Sequence, residues 1–281
     1  MNEKLAKEIL IRTKKNIFNN KVGNNTSLFL GNGIDFQEIR EYHYGDDVRK
    51  INWNVTAKNN GEPYLNLYNE DRELNICIIY LLNGNIEYGI NKKKKEIMTE
   101  IMSLLSLSTI DKGDNLTTLF FSNKEEKLFP PTKKSGVVFE TIKHSLNIDN
   151  LGTETNYKEM IEYINLKIKR KSIIFMIGDF YTNVDFKKLS NKHEYYSIIV
   201  RDKTEEDISL LGEKNIIDPI SLNNSNILFN KKIQNQFKNE IIENDNILYE
   251  NLIKNRINFK KIYTDDDIFL ELKKIVNKKG R

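Results

Sequence analysis

The chain has 281 residues, of which 39% are hydrophobic and 30% are charged, a balance that supports a packed core and excludes global disorder. The 44 Lys and Arg residues against 40 Asp and Glu give a formal net charge of +4, which is too even to argue for nucleic-acid binding. The single cysteine, Cys77, excludes an internal disulfide. Its isoleucine neighbours favour a buried thiol in a reducing compartment.

The N-terminal part begins with a predicted amphipathic helix over residues 3–18, because Leu5, Ile9 and Leu10 fall on one side of it. Residues 21–38 are rich in Gly and Asn and predict a loop, and alternation over residues 64–68 predicts an edge strand. No apolar run is long enough for a signal peptide or a membrane span. We therefore expect a cytoplasmic protein.

Residues 40–53 form the most unusual segment, with three acids, two arginines and the single tryptophan. Their spacing fits neither an amphipathic helix nor an alternating strand. Gly45 and Asp46 predict a turn, and the planar guanidinium groups of Arg40 and Arg49 suit clamping of Asp46, Asp47 or nearby backbone. The segment is thus either a built site or a cross-braced loop.

From residue 74 onward, apolar runs of strand length alternate with amphipathic helical patterns. Strands are predicted at 74–82, 115–122, 126–129, 172–177, 195–200, 227–229 and 259–263. Helices are predicted at 93–108, 137–146, 157–168, 233–252 and 266–276. This alternation predicts an α/β fold with a mostly parallel sheet, in which sites form beyond the carboxyl ends of strands. The loops after Leu82, Phe121, Ile177 and Val200 are therefore the candidate positions.

Two of these loops carry polar groups that could form a site. Asn83 and Asn85 offer neutral oxygens that cannot hold Mg²⁺ alone, and an Asn-Gly turn explains them equally well. Asp179 follows a buried strand, where it is either a functional acid or a helix cap. The position of Thr155 predicts a helix cap, and the lysines at 92–95 predict a solvated helix face. Phosphate-loop and nucleophile-elbow motifs are absent, and the three histidines lack ligand spacing.

Four short motifs occur in order: Gly31-Asn32-Gly33-Ile34-Asp35-Phe36, Arg40-Glu41-Tyr42, Gly45-Asp46-Asp47-Val48-Arg49 and Ile51-Asn52-Trp53. This order resembles the signature of the domain of unknown function 58 family, von Willebrand factor A-like proteins found beside MoxR-type AAA+ ATPases. The resemblance extends over roughly residues 23–220, as far as Asp218-Pro219. Asn52 departs from the Asp that the family usually has.

The resemblance implies a three-layer von Willebrand factor A-like fold, a mostly parallel Rossmann-like sheet with helices on both faces. It implies two domains, residues 1–72 with the N-terminal helix and the family signature, and residues 73–281 with the α/β fold. The signature residues expected to interact or to brace are Arg40, Glu41, Tyr42, Gly45, Asp46, Asp47, Arg49, Asn52 and Trp53.

In that fold, a metal-ion-dependent adhesion site uses an Asp-x-Ser-x-Ser loop, a Thr and a later Asp. The resemblance places Leu81, Asn83 and Asn85 at the loop positions, and Thr155 and Asp179 at the others. A hard-metal site without its first acid is expected to bind Mg²⁺ weakly at most. The sequence therefore predicts a degenerate site and no cofactor.

The resemblance implies a non-enzymatic interaction module, a partner or adaptor of a MoxR-type ATPase in protein maturation or envelope stress. The alternative is a metal-assisted, phosphodiesterase-like hydrolase using Asp46, Asp47 and Asp179, which requires those acids to converge. Nucleic-acid binding through the lysine runs is opposed by the charge balance. Residues 40–53 would either dock the partner or brace the fold, and in a buried brace Arg49→Ala would be destabilising.

Overall fold

The computed structural model describes residues 2–22, 36–58, 62–68, 73–181 and 184–276. Contacts divide the chain into a smaller unit, Leu30–Glu73, and a larger unit made of Met1–Phe29 and Leu74–Arg281. The N-terminal helix thus groups with the α/β part and not with the signature residues, although the sequence suggested one domain over residues 1–72. The motif residues 31–35 lie outside the described residues.

The helices and strands follow the predicted order closely. The helices are α1 (Asn2–Val22), α2 (Trp53–Lys58), α3 (Lys94–Asp111), α4 (Gly136–Asn147), α5 (Tyr157–Lys167), α6 (Lys203–Glu206), α7 (Lys231–Lys254) and α8 (Ile268–Val276). The strands are β1 (Phe36–Glu41), β2 (Tyr64–Tyr68), β3 (Asn75–Leu81), β4 (Asn115–Phe121), β5 (Glu125–Thr132), β6 (Ile173–Gly178), β7 (Glu194–Arg201), β8 (Gly212–Ile217), β9 (Asn224–Phe229) and β10 (Asn258–Tyr263).

The sheet of the larger unit has the strand order β5-β4-β3-β6-β7-β10. Every neighbouring pair is parallel except β4 and β5, which are antiparallel. The order reverses between β3 and β6, so the carboxyl ends of these adjacent strands form the switch point of the sheet, where α/β proteins place their sites. The fold therefore brings the loop after Leu81 beside the loop after Gly178.

Helices cover each face of this sheet. Successive side chains of β3 point to opposite faces and nearly all of them are buried, so both faces need a cover. Ile78 and Tyr80 join one apolar cluster with residues of α1, α3, α4 and α8. Cys77 and Ile79 join a second cluster with residues of α5 and α7. The buried position of Cys77 is as predicted, and burial raises its pKa to about 12. The architecture is the expected three-layer, von Willebrand factor A-like arrangement.

Helix α3 is buried on nearly every side and needs a cover beyond the sheet. Helix α1 packs against α3 and α4 and places Ala6 and Ile9 in the same apolar cluster. Across this contact, Arg12 Nη1 donates a hydrogen bond to Glu100 Oε2 at 3.0 Å. Burial raises the pKa of Glu100, and the Arg12 charge opposes that rise. The N-terminal helix is therefore tied to the core by packing and by charge.

Arg12→Ala is expected to destabilise the protein at about pH 7, because Glu100 then ionises in a buried position without its nearest cation. Removal of Arg12 raises the folded-state pKa of Glu100 further, so the loss of stability should be complete above that pKa. It should vanish as the pH falls below the ordinary glutamate value of 4.5. Urea denaturation of Arg12→Ala and of the exposed control Lys15→Ala across this range tests the expectation. An equal loss at both ends would show that Arg12 acts through packing alone.

Several elements differ from the sequence prediction. Strand β5 is longer than the predicted 126–129. Strands β1 and β8 and helices α2 and α6 were not predicted, and β1 begins inside the loop predicted over residues 21–38. Strand β8 pairs only with β9 in a two-stranded antiparallel sheet. Its residues, Gly-Glu-Lys-Asn-Ile-Ile, are mostly exposed, so the strand lacks the apolar run that identifies a buried strand.

Candidate functional site

The switch point of the sheet begins where β3 ends, at Leu81. Leu81 is fully buried, and a Cβ placed on Gly178 of β6 would lie 2.9 Å from its Cδ1 atom. Leu81, which the resemblance aligns with the first acid of the loop, thus packs tightly against the neighbouring strand. The structure shows it as an apolar contact.

The structure brings Asn83 and Asp179 together at this point. Asn83 Nδ2 donates a hydrogen bond to Asp179 Oδ1 at 2.8 Å, and both side chains are buried. Thr155 Oγ1 donates a hydrogen bond to the carbonyl oxygen of Leu82 at 2.9 Å, which ties the segment before α5 to the loop after β3. Asn156, and not Thr155, caps α5 by accepting from the Glu159 N–H. Asn85 lies further along the loop, in a short 3-10 turn.

Lys94 supplies a positive charge at the switch point. Its ammonium group is fully buried and lies 2.6 Å from Glu205 Oε1 and 3.9 Å from Asp179 Oδ2. Burial raises the pKa of Glu205, and the Lys94 charge opposes that rise. The prediction that residues 92–95 form a solvated face is therefore wrong for Lys94 and also for Lys95, which is buried and bonds Glu87 at 2.8 Å.

A second buried cation, Arg201, lies at the end of β7. Its guanidinium carbon is 3.4 Å from the centroid of the Tyr181 ring, and Nη2 donates to Asp245 at 3.2 Å. The Lys94 ammonium lies over the same ring, 5.2 Å from its centroid. Burial raises the pKa of Tyr181 far above its ordinary value. Two buried cations, Lys94 and Arg201, and the acids that they pair with therefore lie next to the switch point.

The residues present do not match the donor set of a divalent metal site. Asn83 Oδ1 and Asp179 Oδ2 have no hydrogen-bond partner among the described residues, so two acceptors are available. The Lys94 ammonium, however, lies 3.9 Å from the Asp179 carboxylate and repels a second cation there. Leu81, at the position that the resemblance assigns to the first acid, offers no ligand oxygen to Mg²⁺. Within the described ranges, no three His, Cys, Asp or Glu side chains are grouped to hold a metal.

Three loops meet beside the switch point at Gly84. Its N–H donates to Thr153 O at 2.8 Å, and the N–H of Gly152 donates to Pro219 O at 2.9 Å. A Cβ on Gly84 would lie 1.9 Å from that same Pro219 oxygen, so only glycine fits. The turn between β8 and β9 is therefore locked onto the loop after β3.

In the smaller unit, Arg40 and Asp46 form the centre of the signature segment. Arg40 donates from both terminal nitrogens to the two Asp46 oxygens, each at 2.8 Å. Asp46 also accepts the His43 N–H at 2.8 Å, and these bonds hold its pKa below the ordinary value. Gly45 has a φ of +105°, which favours glycine in the predicted turn. The predicted clamp is present at this pair.

The rest of the segment is also held by local bonds. Asp47 accepts from Arg49 Nε and Nη2, each at 3.0 Å, and the Arg49 bonds lower its pKa. The Tyr42 N–H donates to Pro63 O at 2.8 Å, next to Glu41 at the end of β1. Asn52 Oδ1 accepts the Val55 N–H at 3.1 Å, at the start of α2. Because Asn and Asp cap helices equally well, the departure from the family pattern preserves this role.

Several large side chains of this segment are exposed. Trp53 is 69% exposed, Val48 is 57% exposed and Tyr44 is fully exposed. The Arg49 side chain is 87% exposed, so its ion pair lies at the surface, where such pairs contribute little to stability. The sequence predicted that Arg49→Ala destabilises the fold if the ion pair is buried. Because the pair is exposed, we expect this substitution to change stability only slightly. We call the exposed set Tyr44, Val48, Arg49 and Trp53 the signature face.

The strand order and the two helix-covered faces of the sheet define a protein with a three-layer, von Willebrand factor A-like fold. The chain belongs to the family described as protein of unknown function DUF58, whose profile matches residues 38–246. Helix α1 precedes the matched segment.

The uncharacterized proteins Rv1480 of Mycobacterium tuberculosis and Mb1516 of Mycobacterium bovis are each 21% identical over 199 residues. The alignment covers 68% of this chain and 62% of each relative, so the chain spans less than two thirds of their length.

Two solved structures are similar to the chain, each over 72% of its length. One is an aerotolerance-related membrane protein from Bacteroides fragilis (12% identity, TM-score 0.44, 96% of that chain covered). The other is the conserved hypothetical protein BatB from Bacteroides thetaiotaomicron (11% identity, TM-score 0.43, 97% of that chain covered). Among the described residues of the present chain, no helix has the length and apolar character needed to cross a membrane.

Proposed function

We propose that the protein is a non-enzymatic interaction module that docks on a MoxR-type AAA+ ATPase in the cytoplasm, as its partner or adaptor in protein maturation or envelope stress. The observation that carries the proposal is the signature face. Trp, Tyr and Arg are the residue types that dominate interface hot spots, and here Trp53, Tyr44 and Arg49 are all exposed. The Arg40–Asp46 pair holds the turn beneath them, which lowers the entropy lost on binding.

The charges around the three acids of the hydrolase alternative support a non-enzymatic role. Asp46 and Asp47 are each held by an arginine, which lowers their pKa and weakens them as general bases. Asp179 is buried, accepts a hydrogen bond from Asn83 and faces the Lys94 ammonium. Each acid is thus already engaged by groups of the protein. In a metal-independent docking role, the Arg40–Asp46 and Lys94–Asp179 pairs act as structural supports.

Binding of the full chain to the purified MoxR-type ATPase of the same organism, with ATP and Mg²⁺, tests the proposal. Trp53→Ala and Arg49→Ala are each expected to weaken binding by about tenfold or more, with an unchanged melting temperature, because both side chains are exposed. Ile11→Ala is the matched control, since Ile11 is an exposed apolar residue of α1.

No binding in any nucleotide state, or full binding by both signature-face variants, would contradict the proposal. A lower melting temperature for Arg49→Ala would instead support the bracing role that the sequence left open.

A further inference from the structure

The larger unit contains an apolar groove between the β8–β9 hairpin, helix α7 and the loops after β3 and β6. Its volume is about 530 Å³. Its apolar lining includes Ile216, Ile227 and Phe229 of the hairpin and Phe237 and Ile241 of α7. We call it the hairpin groove. It is built from elements that pack beside the switch point and takes no part in the signature face.

The charges that line the hairpin groove are negative. Glu205 and Glu240 line it, and no described lysine, arginine or histidine does. Glu205 is neutralised by Lys94 at 2.6 Å. Glu240 is exposed and forms no ion pair with any residue that the structure describes. Close by on α7, Lys238 is held by Asp207 at 3.2 Å, so one uncompensated negative charge remains at the groove.

The apolar character of the hairpin groove continues at its rim. Ile90, Leu210, Ile217 and Phe237 are large apolar residues that line the groove and remain exposed. A large contiguous exposed apolar surface is typical of a protein-binding site. Because these side chains extend from the groove to its outer edge, the surface suits several successive side chains of a polypeptide better than one compact molecule.

The wall of the hairpin groove is held in place by the internal cation. Glu205 lies in α6 and accepts a hydrogen bond from the Lys94 ammonium group. Asp202 and Glu205 also form a reciprocal capping box at the start of the same short helix. Tyr88, from the loop after β3, shares a hydrogen bond of 3.0 Å with Thr204. The groove is thus fixed to the switch point before any ligand arrives, which favours binding by preorganisation.

We infer that the hairpin groove binds a polypeptide segment of a partner protein that presents large apolar side chains next to a lysine or arginine. The apolar side chains enter between the hairpin and α7, and the basic residue pairs with Glu240. The inference rests on the proposed interaction function and assigns it a specific recognition chemistry on the larger unit.

Fluorescence anisotropy with the full chain and three labelled synthetic peptides tests the inference. One peptide carries Leu and Phe next to Arg, the second carries the same apolar residues next to Glu, and the third keeps Arg but replaces Leu and Phe with Ser. Only the first is expected to bind well. Phe237→Ala should weaken that binding about tenfold, and Glu240→Lys should reverse the preference between the first two peptides.

Two exposed residues of α7 outside the groove lining provide matched controls, Ile242→Ala for the apolar truncation and Glu243→Lys for the charge reversal. Equal binding of the three peptides, or equal effects of Glu240→Lys and Glu243→Lys, would overturn the inference. If the ATPase binds through the signature face while the peptides show no preference, only the groove inference fails. If the Arg peptide binds the groove but the ATPase does not bind the protein, only the proposed function fails.

Discussion

Lys94→Met is expected to lower the free energy of unfolding by about 3–5 kcal/mol, the range observed when one partner of a buried ion pair is removed. The substitution keeps an unbranched side chain of similar length but leaves Glu205 and Asp179 buried without the cation that lies 2.6 Å and 3.9 Å from them. Among the described residues, Asp179 then keeps the hydrogen bond from Asn83 and the Coulombic attraction of Arg201. Chemical denaturation at neutral pH measures the loss.

The adjacent Lys93 is the matched control, because it also pairs with a glutamate, Glu87, but its side chain is 52% exposed. Lys93→Met should change stability little, since exposed ion pairs are worth about 0–1 kcal/mol. Glu205→Gln added to Lys94→Met should restore part of the loss by removing one of the two unpaired charges. Similar losses for Lys93→Met and Lys94→Met, or no recovery in the double variant, would show that Lys94 does not act as an internal counter-charge.

Gly84→Ala is expected to destabilise the protein by about 1–3 kcal/mol through overpacking, although alanine is the smallest possible addition. The new Cβ would lie 1.9 Å from the Pro219 carbonyl oxygen, and the nearest atoms are all backbone, so no flexible side chain can yield. The turn after β8 must then move away from the loop after β3. Denaturation measures the stability, and protection of the Gly84 and Gly152 regions from hydrogen exchange reports the separation of the two loops.

Gly136→Ala is the control for this change. Gly136 begins α4, a Cβ added to it would meet no atom within 4 Å, and its φ is not positive. Alanine favours a helix over glycine by about 1 kcal/mol, so this variant should be neutral or slightly more stable. If Gly84→Ala behaves like Gly136→Ala, the close approach of Pro219 does not constrain the loop.

Lys94 and Gly84 each connect the switch point to an element that lines the hairpin groove. Lys94 joins the switch point to α6 through Glu205, and Gly84 joins it to the β8–β9 turn through Pro219. Both α6 and the hairpin form walls of the hairpin groove. A loss of either connection should therefore weaken peptide binding at the groove, while leaving the ion pairs of the signature face in the smaller unit unchanged.

The elements of the α/β unit were predictable because each buried strand is a run of apolar residues bounded by polar ones. The run ending at Leu82 and the run ending at Gly178 also located the candidate site, since Asn83 and Asp179 follow directly after them. The β8 strand was missed because it is exposed and pairs only within a hairpin. Exposed strands show no consistent apolar pattern for sequence reasoning to use.

The internal cation was missed for a different reason. Lys94 lies in a run of four lysines, a pattern typical of a solvated surface, and Glu205 lies 111 residues away. The one local signal is that Lys94 and Lys95 lead directly into the apolar positions of α3. The exposure of Trp53 was also not predictable from the sequence, because a tryptophan among charged residues is compatible with both a buried brace and an exposed surface.

By itself, the sequence determined the α/β class, the order of nearly all elements of the larger unit, the family and the two residues that meet at the switch point. These depend on local patterns and on ordered motifs that a single chain carries. Only the tertiary structure decided that Lys94 lies within ion-pairing distance of Glu205 and Asp179, that Gly84 touches Pro219 and that the signature face is exposed. The physical reason is that charge pairing and burial depend on distances in space, and residues distant along the chain come together only when the sheet and its helices are packed.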